Sequence, residues 1–298
     1  MNTDPLVRYL IELASQPEAK GIVLTGGFGM RVKQNDLKRR GVRTLIADLP
    51  EARATSDLDI ILSLEFWLEL ERGREFRKML TRLGYDVTMH SWQFRKVYED
   101  SPDLFLKIDL QARQAEHDEP VKSRKEKWPE GVRQIGSGMR IGLGGLALPE
   151  GFAVDDKPVE VGLDWDGRQT TILVPHPYAW LNIKTRAAHD GLKEQRGEKI
   201  STANRETGVS KRLKHVFDVY VLVAMLTVEE LDEAGELAKK YSMHEEAKQI
   251  CGEAMELFGT PEARGVAAIR QAAVNAIDYE LFWEGLSRAL NIVLDGSL

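Results

Sequence analysis

Thr55-Ser56-Asp57-Leu58-Asp59-Ile60-Ile61-Leu62 is the stretch on which the reading of this chain turns. It reads as a strand in which Asp57 and Asp59 point to one face and Leu58 and Ile60 to the other. Two like charges held that close repel, and one of them takes up a proton unless a cation stands between them. About thirty residues upstream, Gly21-Ile22-Val23-Leu24-Thr25 reads as a short buried strand. It runs into a turn at Gly26-Gly27-Phe28-Gly29, with a helix expected from near Met30. Glycines at a strand end let backbone N–H groups approach a phosphate. Carboxylates for magnesium beside a glycine cradle for phosphate describe a site for a nucleoside triphosphate.

The chain has 298 residues, enough for two domains with cores of their own, and its apolar and charged fractions are ordinary for a soluble globular protein. A single cysteine, Cys251, excludes an internal disulfide framework and any multi-cysteine zinc site. The six histidines show no metal-ligand spacing, so zinc is not expected. The N-terminus lacks the basic and apolar regions of a secretory signal, and the longest apolar run, Val219 to Leu226, is too short to cross a bilayer. A cytoplasmic protein without a membrane partner is the expectation.

Net charge is −6, which does not suit a bulk nucleic-acid binder, but the charge is unevenly spread. Lys184 to Lys214 holds nine Lys/Arg against four Asp/Glu, net +5, whereas Thr227 to the C-terminus holds fourteen acidic against six basic residues, net −8. Such polarity suits an electropositive face for a phosphate-bearing ligand, or simply exposed helices with unlike surfaces.

Helical spacing is clear at Leu6 to Ala14 and at Leu64 to Leu83, the latter stopped by Gly84. Lys33 to Ser56 reads as an insertion with a basic patch at Lys38-Arg39-Arg40 and a short strand at Arg43 to Ile46. Strands are expected at Tyr85 to His90, Gln93 to Tyr98 and Leu104 to Leu110, with Leu106, Ile108 and Leu110 facing opposite to Lys107 and Asp109. Gly136 to Leu148 and Val159 to Val174 read as hairpins. Beyond Pro175 segments starting near Pro177, Val209, Val228, His244, Pro261 and Ala276 carry helical periodicity. The prediction is therefore an α+β part over 1–175 and an all-helical part over 176–298.

Asp109 lies on a strand with the same alternation as Asp57 and Asp59. Were the two strands neighbours, three carboxylates would converge across about 5 Å, a site for one or two magnesium ions, with Asp109 placed to deprotonate an attacking group. Alone, each element has a plain structural reading: a D-x-D as a turn, a GG as a tight bend, a strand aspartate as an edge charge. The conjunction in this order carries the argument. Lys214 and Asp218, four apart on a helix, read equally well as a surface ion pair.

Gly26-Gly27, Thr55-Ser56-Asp57-Leu58-Asp59-Ile60 and Asp109 together resemble the nucleotidyltransferase signature of the DNA polymerase beta superfamily. Leu181-Asn182-Ile183-Lys184-Thr185-Arg186-Ala187-Ala188 and Lys214-His215-Val216-Phe217-Asp218-Val219-Tyr220 are similar to later motifs of AbiEii/AbiGii-type toxin nucleotidyltransferases. The chain departs from that pattern at Ile183 and His215, where acidic residues are common, and in the length between GG and D-L-D. The resemblance implies a polymerase-beta-like domain, a mixed β-sheet flanked by helices, followed by an α-helical C-terminal domain. It implies Asp57, Asp59 and Asp109 as ligands of Mg2+ or Mn2+, with Gly26, Gly27, Thr55, Ser56, Lys184 and Asp218 at the nucleotide and Lys184 among the catalytic residues. The implied activity is nucleotide transfer from an NTP to RNA, for instance a tRNA 3′ end, in a toxin–antitoxin or phage-defence setting with a cognate antitoxin protein. Two other functions fit the residues: the same chemistry on a small-molecule antibiotic, and a catalytically silent binding protein of the same fold.

Overall fold

Strict alternation builds the central strands. In β2 (Asp57–Ile61) Leu58 and Ile60 are fully buried, and in β5 (Ser101–Arg113) so are Leu106, Ile108, Leu110 and Ala112. The two strands pair in parallel with Leu58 beside Ile108 and Ile60 beside Leu110, so their apolar residues share one face and their polar residues the other. This computed structural model describes residues 5–53, 55, 57–98, 101–116, 124–125, 133–135, 142–193, 205–272 and 277–292. Among them it is an α+β structure with ten α-helices and a ten-stranded mixed sheet.

β1 (Val23–Thr25) runs antiparallel to β2 and parallel to β10 (Arg168–Val174), which forms a hairpin with β9 (Val159–Trp165). Asp166 and Gly167 both take positive φ at that hairpin's turn, the conformation an Asp-Gly pair favours. On its other edge β5 pairs with β4 (Gln93–Tyr98), which carries β3 (Asp86–Val87), and then with β8 (Gly145–Leu148). Beyond β8 lie β7 (Arg133–Ile135) and β6 (Arg124–Lys125). Residues 136–141 of the first expected hairpin lie outside the described residues.

The helix α1 (Pro5–Ala14) buries Leu6, Leu10 and Leu13 and packs on β9 and β10. The helix α2 begins at Gly26 rather than near Met30 and runs to Arg40, so the glycine turn is its first turn. The single helix expected over 64–83 is two, α3 (Leu64–Leu68) and α4 (Leu70–Arg82), broken at Glu69. On one continuous helix Leu64 and Trp67 would fall outside the stripe of Phe76, Met79 and Leu80; the break lets both sets be buried. Gly84 ends α4 at φ +83°, with Gly84 N–H donating to Thr81 O and Tyr85 N–H to Leu80 O, a Schellman pair.

The chain divides into two compact units, Met1–Arg40 with Arg53–Pro175, and Gly41–Ala52 with His176–Leu298. The second unit contains α5 (Pro177–Lys193), α6 (Arg205–Ala224), α7 (Val228–Lys240), α8 (Glu245–Phe258), α9 (Arg264–Ala272) and α10 (Tyr279–Leu290). Val219 to Leu226, the long apolar run, is buried throughout, the mark of a central core helix. No helix among the described residues is long and apolar enough to cross a membrane.

Arg43 to Ile46 is not a strand. Leu45 N–H donates to Leu226 O at 2.7 Å and Ile46 N–H to Ala224 O at 3.3 Å, which occupies carbonyls left without partners where α6 ends. Gly285 on α10 permits this: a Cβ there would stand 2.4 Å from Leu45 Cδ2 and 2.9 Å from Val223 Cγ1. Gly285→Val is expected to destabilise the chain by about 1–3 kcal/mol through overpacking. Urea unfolding with an unchanged midpoint would rule out this packing of Leu45.

Candidate functional site

The register of β2 on β5 sets Asp59 directly beside Asp109, and Asp57 beside Lys107. Since Asp57, Asp59, Lys107 and Asp109 are all of one parity, they emerge on the polar face of the sheet. Thr25, the last residue of β1, pairs with Asp59 from the other side. The next residue, Gly26, opens α2 at φ +70°. A Cβ at Gly26 would lie 1.9 Å from Asp59 Oδ2, so the carboxylate rests against the bare Cα at the start of the helix. Only glycine meets both demands, the left-handed backbone and the close approach. Gly27 has more room, with its Cβ position 3.2 Å from Arg53 Nη2 and 3.6 Å from Thr55 Cβ. Ser56 lies outside the described residues.

Lys107 is the cation among these acids. Its Nζ stands 2.8 Å from Asp109 Oδ2 and 3.5 Å from Asp57 Oδ2. Burial presses the ammonium towards deprotonation, but the hydrogen bond to Asp109 and the charges of Asp109, Asp57 and Asp59 outweigh it, leaving its pKa above the ordinary lysine value. Two amides complete the set: Gln93 Nε2 donates to Asp109 Oδ1 at 2.9 Å, and Gln111 Nε2 to Asp59 Oδ1 at 3.3 Å. The cluster is half-buried, with side-chain exposures of 40% for Asp57, 20% for Asp109 and 26% for Lys107.

Among the described residues, no group of three or more His, Cys, Asp or Glu side chains is closed up as a metal-holding set. In donor type and strand position the three aspartates still suit a hard divalent cation, which takes oxygen ligands. The Lys107 ammonium lies on that same face, against Asp109 and Asp57.

Lys184 and Asp218 belong to the second unit and form an ion pair there. Lys184 Nζ lies 2.8 Å from Asp218 Oδ2, with side-chain exposures of 6% and 1%, and the pair ties α5 to α6. Asp218 is therefore a buried charge, not a surface one. His215 Nδ1 is 3.6 Å from the same oxygen, and burial pushes this imidazole below the ordinary histidine value while Asp218 offsets part of the effect. The basic character of 184–214 is reduced further by Arg186, which pairs with Glu246 at 2.8 Å and Glu253 at 2.5 Å; residues 194–204 lie outside the described residues. The second basic patch is exposed: Arg39 and Arg40 reach the surface while both bind the buried Asp36 beneath them.

Two parts of this arrangement escaped the sequence reading. Lys107 was read only as a polar alternation residue, although its position two before Asp109 already put it on the acidic face. The network of Arg186, His189, Glu253 and Glu256 joins α5 to α8, with His189 Nε2 3.1 Å from Glu256 Oε2. The pairs Arg186–Glu253 and His189–Glu256 are each 67 residues apart in sequence, and no local spacing announces them.

The chain matches no known family model, no curated protein and no solved structure.

Gly26→Ala is expected to cost about 1–3 kcal/mol from its backbone conformation alone, and more from the Asp59 contact. In an Asp59→Ala background the penalty should shrink; strict additivity in a double-mutant cycle read by urea unfolding would show that the carboxylate does not rest on this glycine. Asp218→Ala should cost about 3–5 kcal/mol by leaving Lys184 buried without its partner. The double variant Lys184→Met, Asp218→Leu should unfold much closer to the parent protein, and a mild Asp218→Ala phenotype would count against the buried pair.

Proposed function

We propose that the chain is a divalent-metal-dependent nucleotidyltransferase. The observation that carries this reading is the β2–β5 register, which puts Asp59 beside Asp109 and Asp57 on the same face, with the Gly26 start of α2 against Asp59. Asp57, Asp59 and Asp109 would hold the magnesium, which when bound neutralises triphosphate charge and lowers the pKa of the attacking hydroxyl.

The remaining work falls to the chain. The first turn of α2, which carries Gly26 and Gly27, would offer phosphate oxygens the backbone N–H groups that no intrahelical carbonyl takes. An acceptor hydroxyl oxygen attacks the α-phosphorus, its proton passes to Asp109, and the bond to the β-phosphate breaks to release pyrophosphate. Gln93 orients Asp109, and Gln111 orients Asp59, each through one hydrogen bond.

RNA is the acceptor this reading favours. Lys38, Arg39 and Arg40 supply exposed positive charge on the unit that carries the carboxylates, as a polyanionic acceptor requires. An AbiEii-like role beside an antitoxin protein rests on the motif resemblance alone.

The test is to incubate the full chain with each labelled NTP, Mg2+ and total RNA. Label should pass to RNA with one or more of the nucleotides. Asp57→Asn and Asp59→Asn should each reduce transfer on the order of a thousandfold, the loss of several kcal/mol at the transition state. Absence of transfer with every NTP, or asparagine variants as active as the parent, would sink the proposal.

A further inference from the structure

Lys107 is where it is for reasons written in the strands. Asp57 is its partner across β2, Asp109 follows it by two residues on β5, and Arg95 is its partner across β4. Two cations opposite each other repel, while the carboxylates on the other side attract. The ammonium accordingly leans towards Asp109 and Asp57, at 2.8 Å and 3.5 Å.

An ammonium and a divalent ion cannot both use those oxygens. Magnesium takes its ligands at about 2.0–2.1 Å in an octahedron and carries twice the charge, so it would face the Lys107 charge at close range. The lysine stem is long and rotatable, and a side chain 26% exposed has a way out to solvent.

Resting on the metal-site reading above, we infer that Lys107 is a tethered counter-cation of the Asp57–Asp59–Asp109 face, and that a divalent metal binds there by exchange with its ammonium. Without metal, Lys107 bridges Asp57 and Asp109. With metal, the side chain swings out and its donors become available to phosphate oxygens. Affinity for a metal alone is thereby held down, because every binding event must first break the Lys107 contacts.

The test uses Mn2+ as the probe, titrated into the full chain without nucleotide and followed by the loss of the free-ion EPR signal. Lys107→Met should bind Mn2+ about tenfold more tightly than the parent, from removal of one competing positive charge; Asp59→Asn should abolish binding in both backgrounds. Binding seen only in the Lys107→Met protein supports the exchange equally well. A second measurement needs no substitution: lysine acylation mapped by peptide mass spectrometry should speed up at Lys107 when Mn2+ is added, while the exposed Lys38 stays unchanged. Equal Mn2+ affinity with and without the lysine, or Lys107 labelling that stays flat or falls as Mn2+ binds, overturns the exchange and leaves the metal site standing. No Mn2+ binding in either protein overturns the metal site and the exchange together.

Discussion

Mutual repulsion among Asp57, Asp59 and Asp109 is the constraint around which this sheet is organised. Three carboxylates on one half-buried patch are tolerable only if something holds them there and something else neutralises them. The holding is done by the opposite face. Leu58, Ile60, Ile108 and Leu110 are fully buried, and a one-residue slip of β2 on β5 would bring the apolar set out and the acids in. Burial of four large apolar side chains, each worth roughly 1.5–3 kcal/mol, outweighs the screened repulsion of partly exposed charges. The neutralising is done by Lys107, with Gln93 and Gln111 donating to the oxygens beside it.

The same register explains why the glycine must be where it is. Thr25 is opposite Asp59, so whatever follows Thr25 is pressed against that carboxylate. A residue with a Cβ would either push Asp59 away from Asp109 or force the chain out of the conformation that starts α2. Gly26 thus couples the helix start to the acidic face, and the coupling is steric rather than electrostatic.

Period-two alternation made β2 and β5 legible in the sequence, and it also put Asp57, Asp59 and Asp109 on matching faces. Gly84 was legible as a helix stop because the Schellman motif is a local event within six residues. What escaped was non-local. Segment 41–52 offers no pattern of its own, because its backbone donors serve carbonyls near residue 225 and its Leu45 fits a gap left by Gly285. The break at Glu69 escaped for a related reason: it brings Phe66 against Phe76 at 5.4 Å, a contact ten residues apart in sequence that no helical period marks. The start of α2 was placed late because glycines argue against helix, and here a first-turn position relieves that penalty since those N–H groups lack intrahelical partners in any case.

Lys184 and Asp218 show how charge in a sequence can mislead about surface. A positive segment suggests a face for phosphate, yet Lys184 is spent inside the helical unit on Asp218, and Arg186 on Glu246 and Glu253. Counting charges along the chain weights these buried cations the same as the exposed Arg39 and Arg40. Once the buried ones are set aside, the acidic face keeps Lys107 on the sheet and Lys38, Arg39 and Arg40 stay exposed at the end of α2, the helix whose other end carries Gly26. One helix therefore begins against the acidic face at Gly26 and carries Lys38, Arg39 and Arg40 in its last turn. Those cations also suit the helix dipole there, and Asp36 beneath Arg39 and Arg40 fixes where they point without burying them.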